Sequence, residues 1–110
     1  MLAKAHRISA SEMNTLSRPT DQSRQSALVV FYFAKPAVKK VAVVVGKKVA
    51  KHAVVRNRLR RQLYTLVSSH LPSLPAGYYV VRVQPTAIQI EYATLVEQLD
   101  TAFGQIAKAR

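Results

Sequence analysis

Between Val43 and Arg61 the chain reads VVVGKKVAKHAVVRNRLRR. A β-branched run ends at Gly46, a lysine-rich link follows, and an arginine-rich segment takes over after Val55. Consecutive β-branched residues favour a pleated strand. From Ala53 onward the pattern changes. Val55, Leu59, Leu63, Leu66 and His70 recur at three- and four-residue steps, the stripe of one helix face. Pro72, Pro75 and Gly77 stop that helix, so the spacing predicts it over 53–70. Strand, basic link and helix form one unit, and the remaining elements must be placed around it.

Upstream, Lys40 to Gly46 (KVAVVVG) completes the strand, and Ala27 to Ala34 (ALVVFYFA) is a second β-branched and aromatic run. Lys35-Pro36-Ala37 breaks the first run, and only a short Pro-containing link separates the two, so an antiparallel hairpin is expected. Both runs are almost wholly apolar, which suggests burial on both faces. Thr20 to Ser26 is polar and reads as loop. Ser9 to Leu16 reads as a short helix. Ser9 can cap it, Glu12 stands three residues later, Ile8, Met13 and Leu16 supply an apolar side, and Pro19 ends it.

Downstream, Tyr78 to Gln84 (YYVVRVQ) is a third strand, ended by Pro85. A closing helix is predicted over 92–108, with Leu95, Leu99, Phe103 and Ile106 as its stripe. The order is α-β-β-α-β-α around one sheet, an α+β sandwich. A chain of 110 residues holds one core, so residues 1–110 form a single domain.

Composition narrows the function. There are 17 Lys and Arg against five Asp and Glu, a net charge of +12. Residues 22–90 contain no acid at all and twelve of the bases. Such a chain repels itself when compact, and a polyanion relieves the repulsion. Nucleic acid is the first candidate and an anionic membrane surface the second. The longest unbroken apolar run, Ala27 to Ala34, is far too short to span a bilayer. No secretory signal is read in Met1 to Arg7. The absence of cysteine excludes disulfide scaffolds, thiol nucleophiles and cysteine metal sites, and fits a reducing cytoplasm.

The cations converge on the opening unit. Arg56, Asn57, Arg58, Arg60 and Arg61 spread over the side of the helix away from the stripe, with no carboxylate three or four residues away to pair them. Arginine suits phosphate because its planar fork takes two oxygens. Asn57 offers donor and acceptor for a ribose hydroxyl or base edge. Lys47, Lys48 and Lys51 lie on the link at the helix start, where free backbone N–H groups add to an anion site. Gly46-Lys47-Lys48 is not a phosphate-binding Walker loop, because the upstream glycine and the following Ser or Thr are missing. His52 is open to two readings, a phosphate contact or an exposed link residue, and His70 is read as a helix-end histidine at the core edge. No cluster of acids is in place for two-metal chemistry, so neither a catalytic side chain nor a metal site is assigned.

The run from Val43 to Arg61 closely resembles the signature of the bacterial ribonuclease P protein component. The Lys47-Lys48 pair and the Arg56-Asn57-Arg58 triplet carry the likeness. His6-Arg7-Ile8-Ser9 resembles that family's approach to its first helix, and Glu91-Tyr92-Ala93-Thr94-Leu95 its approach to the last. Gly46 stands where the family has a small polar residue, Ala50 where glycine is common, and the link is one residue longer than the compact version. The resemblance implies the ribosomal protein S5 domain 2-like sandwich, with a left-handed crossover around the Arg-Asn-Arg helix. It implies a cytoplasmic ribonucleoprotein that removes the 5′ leader of precursor tRNA, in which the RNA subunit is the catalyst and holds the Mg2+ ions. The protein would bind that RNA and the precursor tRNA, with no obligate protein partner and no membrane. It also implies that the leader lies in an aromatic cleft between the first helix and the sheet. Phe31 and Phe33 share one strand face and are favoured for that cleft, with Tyr32 second. Met13 and Leu16, where phenylalanine is usual, would form its helical wall. A small ribosomal-type RNA-binding protein with no linked activity fits the same composition.

Overall fold

The computed structural model describes residues 4–109, so the reading of Met1 to Ala3 lies outside the described part. The main helix, α2, runs Ala53–His70 as the sequence predicts. Its buried line is Leu59, Leu63 and Val67. This is one i, i+4, i+8 row, with Tyr64 and Leu66 packed beside it. The predicted stripe is therefore rotated slightly, and Val55, Leu66 and His70 at its margins are half-buried. The closing helix, α3, runs Tyr92–Lys108 and buries Leu95, Leu99, Ala102, Phe103 and Ile106.

The first helix, α1, is only Ala10–Met13. Ser9 Oγ accepts from the Glu12 N–H at 3.2 Å and Glu12 Oε1 accepts from the Ser9 N–H at 3.0 Å, a reciprocal cap. Beyond Met13 the expected helix tightens into turns, Thr15 N–H to Glu12 and Leu16 N–H to Met13.

The sheet has four strands, one more than expected. They are β1 Asp21–Arg24, β2 Leu28–Ala34, β3 Lys39–Val44 and β4 Gly77–Val83, in the order β1-β2-β4-β3. β1 falls in the stretch read as loop. It is polar, so it lacks the apolar alternation of a strand, and its backbone pairing with β2 supplies the structure. Ser23 is its one buried side chain and donates to Gln105 Oε1 on α3. A short polar strand suits an exposed sheet edge.

The expected hairpin does not form. β4 lies between β2 and β3, antiparallel to β2 and parallel to β3, with Tyr79 opposite both Tyr32 and Val41. Crossing one strand takes two strand spacings, about 9.6 Å. The four linking residues 35–38 reach that easily at about 3.3 Å each. β4 is apolar on both faces, which favours the middle position. Gly77 opens it at φ +152, donating its N–H to the Val38 carbonyl. A Cβ there would lie 2.5 Å from both the Phe33 carbonyl oxygen and Tyr32 Cε1. The backbone of Arg7 and Ile8 covers part of the β3 edge, with Ile8 N–H on the Val41 carbonyl at 2.9 Å.

α2 joins the parallel pair β3 and β4, and α2 and α3 share a core with one sheet face. Leu28, Val30, Tyr32, Val41, Val43, Tyr79, Val81 and Val83 supply the sheet side of it. The Tyr79 ring lies 5.0 Å from Tyr32 and edge-on to Phe103 at 5.8 Å. His70 Nε2 and Asp100 Oδ1, 2.6 Å apart, tie the end of α2 to α3. The opposite sheet face meets α1 and the turns after it. Among the described residues no helix is long and apolar enough to cross a membrane.

Candidate nucleic-acid interface

Strand alternation places Phe31 and Phe33 on the sheet face away from α2 and α3. There they join Met13 and Leu16, with Pro19, Val80 and Arg82, around an open groove of about 250 Å³. Four of the five residues expected at a cleft are thus together. Tyr32 is not with them. It is 3% exposed on the opposite face, packs its ring at a tilt against Tyr79 and donates its hydroxyl to the Ala76 carbonyl at 2.7 Å. The reason is the two-residue period: if Phe31 and Phe33 face the groove, Tyr32 must face the core. Arg82 is a residue the sequence reading passed over. Its guanidinium lies 5.1 Å from the Phe31 ring centroid. The signal was a lone arginine at an outward position of an otherwise apolar strand.

The groove wall is fastened. Lys40 Nζ on β3 donates to Glu12 Oε2 at 2.7 Å. That bond and the Ser9 N–H hold the Glu12 carboxyl down at about 2, against an ordinary 4.5. α1, which carries Met13, is thereby pinned beside the sheet.

On α2 the five basic-face residues divide by what they already hold. Arg56 is half-buried, and its Nη1 donates to the carbonyls of Ala50 and Lys51, each at 2.9 Å. It clasps the link onto the helix. Arg60 Nη1 donates to Asn57 Oδ1 at 2.6 Å. Arg58 and Arg61 are exposed, and neither guanidinium has a partner among the described residues. Lys47, Lys48 and Lys51 are exposed, but their link is not loose. Val49 and Ala50 are buried between them, and the Val49 N–H bonds the Gly46 carbonyl at 3.1 Å. His52 is exposed at the start of α2. Near the same helix, Arg7 lies 5.9 Å from the Tyr64 ring centroid, with its Nε buried and unpartnered.

The arrangement offers phosphate forks on a rigid helix and an aromatic floor with a cation above it. Both are features that bind RNA strands. Magnesium asks for clustered carboxylate and water oxygens. Among the described residues no three metal-ligating side chains come together. Glu12 is tied to Lys40 and Asp100 to His70.

The chain is similar to known proteins in part of its sequence and in its architecture. A ribonuclease P protein component from Cyanothece sp. is 38% identical over 61 residues, covering 54% of this chain and 47% of that protein. One from Salinispora tropica is 49% identical over 67 residues, covering 60% of this chain and 47% of that protein. The chain thus spans about half the length of these relatives. The crystal structure of the Staphylococcus aureus RNase P protein superposes with a TM-score of 0.77 at 18% identity, over 94% of this chain and 99% of that one, which shows a common fold. The family model described as Ribonuclease P matches residues 2–107. With that match running through sheet, groove and basic helix alike, the chain belongs to the ribonuclease P protein family.

Proposed function

We propose that the chain is the protein subunit of a bacterial-type ribonuclease P. In this reading it binds the catalytic RNA through α2 and the link, and the 5′ leader of precursor tRNA in the groove. It thereby assists endonucleolytic removal of the leader. The observation that carries the reading is the groove itself. Phe31 and Phe33 form an apolar floor open to solvent, with Arg82 beside it and α1 as a wall. Stacking on such rings tolerates any base, which suits an enzyme that must accept many leaders.

The chemistry, phosphodiester hydrolysis, belongs to the RNA with its Mg2+. The dispersed carboxylates of the protein support that assignment. The protein contributes position and charge. Arg58 and Arg61 neutralise phosphates, and the groove holds the leader so that the scissile bond stays in register. Its place of work would be the cytoplasm, with ribonuclease P RNA and precursor tRNA as partners.

The test is reconstitution with a bacterial ribonuclease P RNA, scoring leader removal at low Mg2+. Addition of the protein should raise cleavage, and the protein alone should give none. RNA binding without any gain in cleavage would leave an RNA-binding protein with no linked activity.

A further inference from the structure

On the helical side of the sheet, away from the aromatic groove, the chain leaves β4 through a tight turn at Pro85–Ile88 and starts α3 at Tyr92. This corner keeps large apolar side chains in water. Ile88 is 49% and Tyr92 50% exposed. Val54, 77% exposed, lies on the first turn of α2, four residues before Arg58. Between that turn and the corner is a cavity of about 290 Å³. Leu59 and Leu95 form its buried floor, Ile88 and Tyr92 its apolar rim, and Arg58 and Gln62 its polar rim. The Arg58 guanidinium has no hydrogen-bond or ionic partner among the described residues.

A pocket with an apolar floor, an exposed ring, an amide and an unpaired guanidinium matches the parts of one nucleotide. The ring offers a stacking face, the amide a donor and acceptor for a base edge, and the fork a site for phosphate. Charge sets the orientation. Residues 22–90 carry no acid, whereas Glu91 immediately precedes Tyr92. The phosphate therefore belongs on the Arg58 side and the uncharged base on the Tyr92 side.

We propose that this cavity receives a single unstacked base of the ribonuclease P RNA, with Tyr92 as its platform and Arg58 on its phosphate. The RNA subunit is chosen over the leader because the groove assigned to the leader opens on the other sheet face. The inference rests on the proposed binding of that RNA by α2.

The test uses the full chain and a bacterial ribonuclease P RNA. Tyr92→Ala should weaken RNA affinity about tenfold, within the range of one base stack, while Tyr92→Phe keeps it. The chain has no tryptophan, so Tyr92→Trp reports this pocket alone, and its fluorescence should be quenched when the RNA binds. Unchanged affinity for Tyr92→Ala, equal loss in Tyr92→Phe, or an unquenched tryptophan would overturn the proposal. So would a change in the oligomeric state of free Tyr92→Ala protein, which would assign the patch to a second copy. If Tyr92→Ala fails to fold by circular dichroism, the Tyr92→Trp measurement decides. Failure of the unmodified protein to bind the RNA would instead overturn the underlying reading, and this inference with it.

Discussion

Lys40, on the edge strand β3, donates a 2.7 Å hydrogen bond to the Glu12 carboxylate, and so holds the four-residue helix α1 against the sheet. The Tyr78 hydroxyl approaches the same oxygen at 3.4 Å. So short a helix has no independent stability, because helix nucleation costs more than one turn returns. Its position, and that of Met13 in the groove wall, depends on this contact and on the Ser9 cap.

Acid should therefore loosen α1. The Glu12 carboxyl lies at about 2 in the folded chain, below its ordinary 4.5. A depressed carboxyl stabilises the fold above its ordinary value and loses that contribution as pH falls from about 4.5 toward 2. Carbon-detected carboxyl titration by NMR should find Glu12 well below its ordinary 4.5. Lys40→Met should move it back up. A Glu12 that titrates near 4.5 in the unmodified protein contradicts the latch.

Phe31→Ala should weaken binding of precursor tRNA more than of mature tRNA, by about 1–3 kcal/mol. Only the precursor has a leader to stack. Arg82→Ala should act in the same direction by a smaller amount, about 0.5–1 kcal/mol, the worth of an exposed cation over a ring. Tyr32→Phe, altered on the buried face, should show no such preference. Equal losses for the two tRNAs would return Phe31 to a packing role.

The basic helix should read geometry as well as charge. Arg58→Lys keeps the charge but loses the fork, and should lower the cleavage rate at limiting Mg2+. Asn57→Ala removes the acceptor that holds Arg60 at 2.6 Å, so it should also lower the rate with no change of charge. Lys47→Arg, on an exposed side chain, should be nearly silent. Normal rates for both Arg58→Lys and Asn57→Ala would reduce the triplet to a source of positive charge.

Gly77→Ala tests the close approach of the first residue of β4 to β2. The added Cβ meets a carbonyl oxygen and a core ring at 2.5 Å, in a backbone conformation that disfavours side chains. Strain and overpacking together should cost about 2 kcal/mol or more, read as a lower urea midpoint. Gly46→Ala is the control, because nothing lies within 4 Å of its added Cβ.

The two long helices were legible along the chain because their signals are local. Successive turns of α2 and α3 repeat the same apolar period, and Pro72 marks where α2 stops. The basic face was legible for the same reason: a helix of known phase with no acid nearby can only carry its arginines outward. Alternation also showed that Phe31 and Phe33 oppose Tyr32. Which face looks toward the helices was not contained in that alternation, since both faces of β2 are apolar. Tertiary structure decided it by seating Tyr32 against Tyr79, which in turn meets Phe103 of α3. It likewise inserted β4 between β2 and β3, made a strand of polar Asp21–Arg24, and turned Arg56 back onto the carbonyls of Ala50 and Lys51. Each of these depends on a partner fixed only once the chain has closed. Strand pairing joins residues tens of positions apart through backbone groups that every residue type shares, so side-chain pattern alone does not choose among the pairings.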